Sequence, residues 1–151
     1  MSSETRWLSA DEQYIWRAYL NSHRLLLEAV DAQLRRDSGM PHAYYEILVR
    51  LSGNEGRAMR MAELADATRV SASRLSHAIA RLEERGWVRR EDCPTDRRGQ
   101  IAVLTDAGFE VLAAAAPGHV EAVRQALFDG LDPEQIKKLG EISEILADRL
   151  T

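Results

Sequence analysis

The sequence predicts a mainly α fold with one small β-hairpin. Two observations carry that class. Apolar residues recur at helical spacing in six separate stretches, whereas only Trp87-Val88-Arg89-Arg90 and Ile101-Ala102-Val103-Leu104 read as paired strands. The helical stretches also differ in kind: short ones fill the middle of the chain, and long amphipathic ones stand at each end.

The first helix opens on Ser9-Ala10-Asp11-Glu12, a capping box in which hydroxyl and carboxylate each satisfy an amide that the helix leaves unpaired. Ile15, Trp16, Tyr19, Leu20, Leu26, Leu27, Val30 and Leu34 carry its apolar face to about Arg36, and Asp37-Ser38-Gly39 breaks it. A short second helix follows Pro41, with Tyr45, Leu48 and Val49 on one face. After the turn at 52–56, Arg57–Arg60 suits a short strand. Met61–Thr68 forms a third helix with Leu64 and Ala65 inward, and Thr68-Arg69-Val70 leaves room only for a turn. Ser71 is an N-cap for a fourth helix, whose inner face is Leu75, Ala78, Ile79 and Leu82 and which Gly86 ends. A polar loop over 92–99 is expected between the two strands. Thr105 caps a fifth helix carrying Phe109, Leu112, Ala116, Val120, Val123 and Leu127; Pro117 is expected to bend it and Gly130 to close it. Asp132-Pro133-Glu134-Gln135 supplies an N-cap, a first-turn proline and a capping glutamine for the last helix. Its apolar residues, Ile136, Leu139, Ile142, Ile145, Leu146 and Leu150, spread over a broad arc, which implies burial on more than one side and hence a second copy.

Helix, tight turn, helix and hairpin in that order make a winged helix-turn-helix. Residues 1–151 are expected to form one unit: a core at about 41–104, flanked by dimerisation helices at about 9–36 and 105–151. The chain of 151 residues carries a net charge of -4, yet the charge is unevenly spread. From Arg57 to Arg98 ten arginines face seven acids, while the remainder holds ten basic and seventeen acidic residues. A basic middle inside an acidic frame suits double-stranded DNA, since arginine bonds phosphate and guanine bidentately.

The fourth helix has the shape such binding needs. The major groove admits one α-helix, so a reading helix requires an apolar inner face and a polar outer one. Ser71, Ser73, Arg74, Ser76, His77 and Arg81 fall outside the apolar stripe, and Arg97 and Arg98 lie at the hairpin tip. Catalysis has no support: no Gly-rich phosphate loop, HExxH or GxSxG occurs. No cofactor or metal is expected, because His23, His42, His77 and His119 are scattered without ligand spacing. Cys93 is the single cysteine, which excludes an internal disulfide, and the neighbouring Asp92 is expected to discourage its thiolate. No apolar run spans a bilayer and the first residues form no secretory signal, so a cytoplasmic location and no membrane partner are expected.

The segment VSASRLSHAIARLEERGWVRREDCPTDRRGQIAVLTDAG resembles the central signature of the MarR family of bacterial regulators. It matches in Leu82-Glu83-Glu84-Arg85-Gly86, in Arg90, in Asp96-Arg97-Arg98 and in Leu104-Thr105. The Ala116-Pro117-Gly118-His119 turn is also similar to that family's, whereas Arg69 stands where many such turns carry Gly. The resemblance implies a dimeric repressor, with Ser71, Ser73, Arg74 and His77 facing the groove and Arg97 or Arg98 in the adjacent minor groove. It implies that Asp96 orients the wing arginines by a salt bridge; a plain turn role is the alternative. It further implies a small-molecule effector, aromatic or phenolic in character, near Trp16, Tyr19, His23, Tyr44 and Tyr45, although Trp16 and Tyr45 read equally as core. A winged-helix protein-interaction module without DNA binding remains the alternative function.

Overall fold

A computed structural model describes residues 4–151, with the side chain of Arg97 excepted. The helices are α1 (Ala10–Ser38), α2 (His42–Ser52), α3 (Met61–Thr68), α4 (Ala72–Glu84), α5 (Asp106–Val123) and α6 (Pro133–Leu150). The strands are β1 (Ala58–Arg60), β2 (Val88–Cys93) and β3 (Asp96–Leu104), arranged antiparallel in the order β1-β3-β2. The chain divides into two units, one of residues 31–121 and one of residues 1–30 with 122–151.

The larger unit holds the core. Leu34, Met40, Leu48, Leu51, Leu64, Leu75, Ile79 and Leu82 are fully buried, and Val88, Ala102, Leu104 and Leu112 pack in the same cluster. The side chains come from α1, α2, α3, α4, the sheet and α5, so the sheet and the helix-turn-helix share one interior. Gly108 at the start of α5 is required by close approach: a side chain there would run into the Trp87 carbonyl. Thr105 fixes the same junction, donating to the Gly86 carbonyl at 2.7 Å and accepting from the Gly108 amide at 3.0 Å.

The smaller unit has a different character. Among its described residues only Val30 is buried, and α6 has no buried residue at all. Ile142, Ile145 and Leu150 are 55%, 59% and 85% exposed, and Trp16 and Tyr19 stand about half exposed on α1. Both helix starts are nonetheless well made. Ser9 and Glu12 close their capping box at 2.8 and 3.1 Å, and Asp132 and Gln135 do the same at 3.0 and 2.8 Å.

Three expectations change. Helix α1 runs on to Ser38 and stops at Gly39, whose φ of 64° only glycine adopts freely. The wing is longer than expected: 92–99 is not a loop, because β2 reaches Cys93 and β3 starts at Asp96, leaving only Pro94-Thr95 as the turn. Ladder hydrogen bonds do not require apolar side chains, so polar residues extend both strands, with a register shift between Asp92 and Cys93. Helix α5 continues through Pro117, and its irregularity comes later, as a π-turn over Arg124–Phe128.

Candidate nucleic-acid interface

The turn between α3 and α4 is built by local bonds. Arg69 takes the left-handed conformation at φ 55° and ψ 35°, the role that glycine fills with least strain. Its amide and that of Val70 cap α3 by donating to the Asp66 and Ala65 carbonyls, while the Thr68 hydroxyl donates to the Leu64 carbonyl at 2.7 Å. Ser71 then caps α4, its hydroxyl accepting from the Arg74 amide at 3.3 Å.

Helix α4 buries Leu75, Ile79 and Leu82 and exposes Ser71, Ser73, Arg74, His77 and Arg81 on its outer side. Arg81 is not free on that face, since it pairs with Glu84 at 2.9 Å. Ser76 differs from the other candidates: it is half-buried, and its carbonyl and hydroxyl both accept from Arg90. Arg98 is exposed on β3. Arg97 also lies on β3, but its side chain lies outside the described residues. Asp96 accepts from the Arg98 amide at 3.0 Å, which is the behaviour of a turn residue; among the described residues it makes no ion pair with a wing guanidinium.

Arg60, which carried no sequence signal, supports the wing. From β1 it donates to the Thr95 hydroxyl at 2.8 Å across the hairpin turn. A cleft of about 290 Å³ is lined by Arg60, Ala72, Asp96, Arg98 and Gln100, so the wing base and the start of α4 border one surface. Cys93 is 6% exposed and lies 3.3 Å from the Thr95 hydroxyl. That hydrogen bond, more than any other influence, holds the thiol pKa below its ordinary value, and the Arg60 charge acts in the same direction. The expected suppression of the thiolate by Asp92 is therefore reversed, because Thr95 and not the acid touches the sulfur.

The aromatic candidates separate. Tyr44 and Tyr45 are neighbours in sequence but leave α2 on different sides. Tyr44 lines a groove of about 540 Å³ beside Arg74, His77 and Arg81 of α4. Tyr45 is 8% exposed, and its ring lies 4.4 Å from that of His119. Tyr45, His42, Arg50 and His119 border a cavity of about 500 Å³. Burial pushes the His119 pKa down, helped by the charge of His42, and its Nδ1 has no hydrogen-bond partner among the described residues. In the smaller unit Tyr19 stacks on His23 at 6.3 Å, and the two line a groove with Leu26, Phe128 and Ile136. Trp16 stands 54% exposed.

The fold and the exposed face of α4 define a winged helix-turn-helix protein of the transcription-regulator class. Residues 38–99 match the MarR family model. Sco3205 of Streptomyces coelicolor, a MarR family transcriptional regulator solved in complex with DNA, is 58% identical; the match covers 97% of this chain and 92% of that one, with a TM-score of 0.94. AbsC, also a MarR family regulator of Streptomyces coelicolor, is 46% identical over 97% of this chain and 98% of that one, with a TM-score of 0.91. The transcriptional repressor MprA of Escherichia coli K12 is 27% identical over 92% of this chain and 78% of its own length. The chain belongs to the MarR family of transcriptional regulators, which are not enzymes. Among the described residues no helix is long and apolar enough to cross a membrane.

Proposed function

We propose that this protein is a dimeric, sequence-specific DNA-binding repressor that acts in the cytoplasm. The exposed Ser73, Arg74 and His77 on a helix anchored by Leu75, Ile79 and Leu82 carry the reading. Such a helix enters the major groove, while Arg98, with Arg97 beside it in sequence, reaches the adjacent minor groove, whose negative potential attracts arginine. The 58% identical Sco3205, solved with DNA, supports it. Dimerisation is supported by the smaller unit, whose apolar residues on α1 and α6 stand exposed in the single chain. One reading helix per chain on a two-fold axis fits a pseudo-palindrome whose half-sites lie about 10 bp apart centre to centre. A gel shift with the DNA upstream of the protein's own gene, followed by footprinting, tests this. Paired protection one helical turn apart is expected, and a single half-site bound at full affinity overturns the dimeric reading.

A small aromatic or phenolic acid is the effector class we propose. Of the aromatic candidates Tyr45 supports it, since it borders a cavity with His42, Arg50 and His119. Release requires that the ligand bind the DNA-free state more tightly than the bound one. Titrating benzoate-type acids into the protein–DNA complex is expected to release DNA, and Tyr45→Phe to shift that release to higher ligand. Unchanged release in Tyr45→Phe removes this cavity as the effector site, and unchanged release in Trp16→Phe removes Trp16 as a contact.

A further inference from the structure

Among the described side chains, Arg90 is the most heavily engaged arginine of the wing. It extends from β2, and its amide donates to Glu83 Oε1 at 3.1 Å. Its Nε lies 3.1 Å from Glu83 Oε2, close enough for an ion pair though not aligned as a hydrogen bond. Its Nη2 donates to the Ser76 carbonyl at 2.8 Å, and its Nη1 reaches Ser76 Oγ and Gln100 Oε1, each at 3.4 Å. Ser76 and Glu83 stand two turns apart on one face of α4, the face toward the sheet. Gln100 lies on β3. One guanidinium thus grips two turns of the reading helix and both wing strands. Its side chain is only 23% exposed, and both terminal nitrogens of its guanidinium donate to protein acceptors. Arg89, by contrast, points outward and pairs with Glu91 at the surface.

We infer that Arg90 is a positioning residue that fixes the wing against α4, and so sets how far apart the major-groove and minor-groove contacts fall. The inference rests on the proposed DNA binding. Specific recognition requires both contacts at once in fixed geometry, whereas non-specific binding draws on the phosphate charge and tolerates a loosened wing. Loss of Arg90 therefore lowers discrimination more than it lowers attraction. A phosphate ligand would behave in the opposite way: lysine would replace it as a point charge, and its removal would flatten the salt dependence.

The test compares a duplex that the parent protein selects from random-sequence DNA with a scrambled duplex of the same length. Both are titrated at several salt concentrations with the parent, Arg90→Gln, Arg90→Lys and Glu83→Gln, below each variant's melting temperature. Affinity for the selected duplex is expected to fall about tenfold in both Arg90 variants, the loss a single mismatched base pair can cause. Affinity for the scrambled duplex and the salt slope are expected to hold, and Glu83→Gln is expected to shift the ratio in the same direction. If the Arg90 variants do not fold, the ratio in Glu83→Gln decides. Rescue by lysine, with a slope shallower by about one per half-site in Arg90→Gln, makes Arg90 a phosphate ligand and overturns the inference. An equal loss on both duplexes, or no loss on either, overturns it as well. A parent that selects no sequence defeats the DNA-binding reading itself.

Discussion

The two units of this chain use apolar residues in opposite ways. In residues 31–121 leucines and isoleucines from every layer are driven to complete burial in one shared cluster. In residues 1–30 with 122–151 the same residue types lie along α1 and α6 with Val30 alone buried among the described residues. A helix pair that covers so little of its own apolar surface gains little from the hydrophobic effect by itself. The first unit is therefore a domain stabilised from within, whereas the second leaves most of its apolar surface uncovered. The difference teaches that amphipathic periodicity reports which face is apolar, not what covers it.

Removing the second unit's last helix is the strongest way to break the contrast. Deleting residues 132–151 is expected to abolish the dimer and most of the affinity for a two-half-site operator, while the 31–121 core keeps its fold. Analytical ultracentrifugation and circular dichroism check the two halves of that statement. A truncated chain that still sediments as a dimer places the interface elsewhere.

Single truncations sharpen it. Leu48→Ala, in a site with no exposure, is expected to cost about 2–5 kcal/mol of stability through lost burial and the cavity left behind. Ile145→Ala, at 59% exposure, is expected to change the stability of the isolated chain by less than about 0.5 kcal/mol while weakening the dimer. Denaturant melts at low and high protein concentration separate these effects. A large loss for Ile145→Ala at low concentration contradicts the division of roles.

On the DNA face, Arg74→Ala is expected to cost about 1–3 kcal/mol of specific binding and to relax preference at one position per half-site. It leaves thermal stability nearly unchanged, because the side chain is exposed. Selection from a randomised operator, read against melting curves, checks both. Unaltered sequence preference removes Arg74 from the reading set.

The smallest effect concerns pH. His119 titrates below 6.5 in the folded chain because burial, aided by the His42 charge, disfavours its protonated form. The unfolded chain thus binds the proton first as pH falls. The stability contribution is full above about pH 6.5 and is lost as pH drops toward and through the lower folded value. His119→Gln is expected to flatten the dependence of melting temperature on pH across that window. An unchanged slope means that another group governs it.

The turn and caps were legible because their bonds span three or four residues. Ser9, Ser71 and Asp132 each satisfy an amide three positions ahead, so residue type and spacing sufficed. Arg69 shows the limit of that logic: a left-handed residue was needed there, and arginine accepts it at some strain. The wing was only half legible. Its apolar ends marked the strands, but the polar extension to Cys93 and Asp96 depends on pairing between strands. The outer face of α4 was legible except at Ser76, whose partner Arg90 lies across the wing. Tyr44 and Tyr45 looked like one aromatic cluster, yet consecutive helical residues diverge, and the two border different cavities.

By itself the sequence determined the order of the helices, their caps, the reading helix with its apolar anchor, and the family to which the chain belongs. These follow from local periodicity and from hydrogen bonds closed within a turn, which composition and spacing record directly. Only the tertiary structure decided the length of the wing and the engagement of Arg90 with Ser76, Glu83 and Gln100. Each depends on side chains or strands brought together by the shared core, and no pattern along the chain specifies the distance between them.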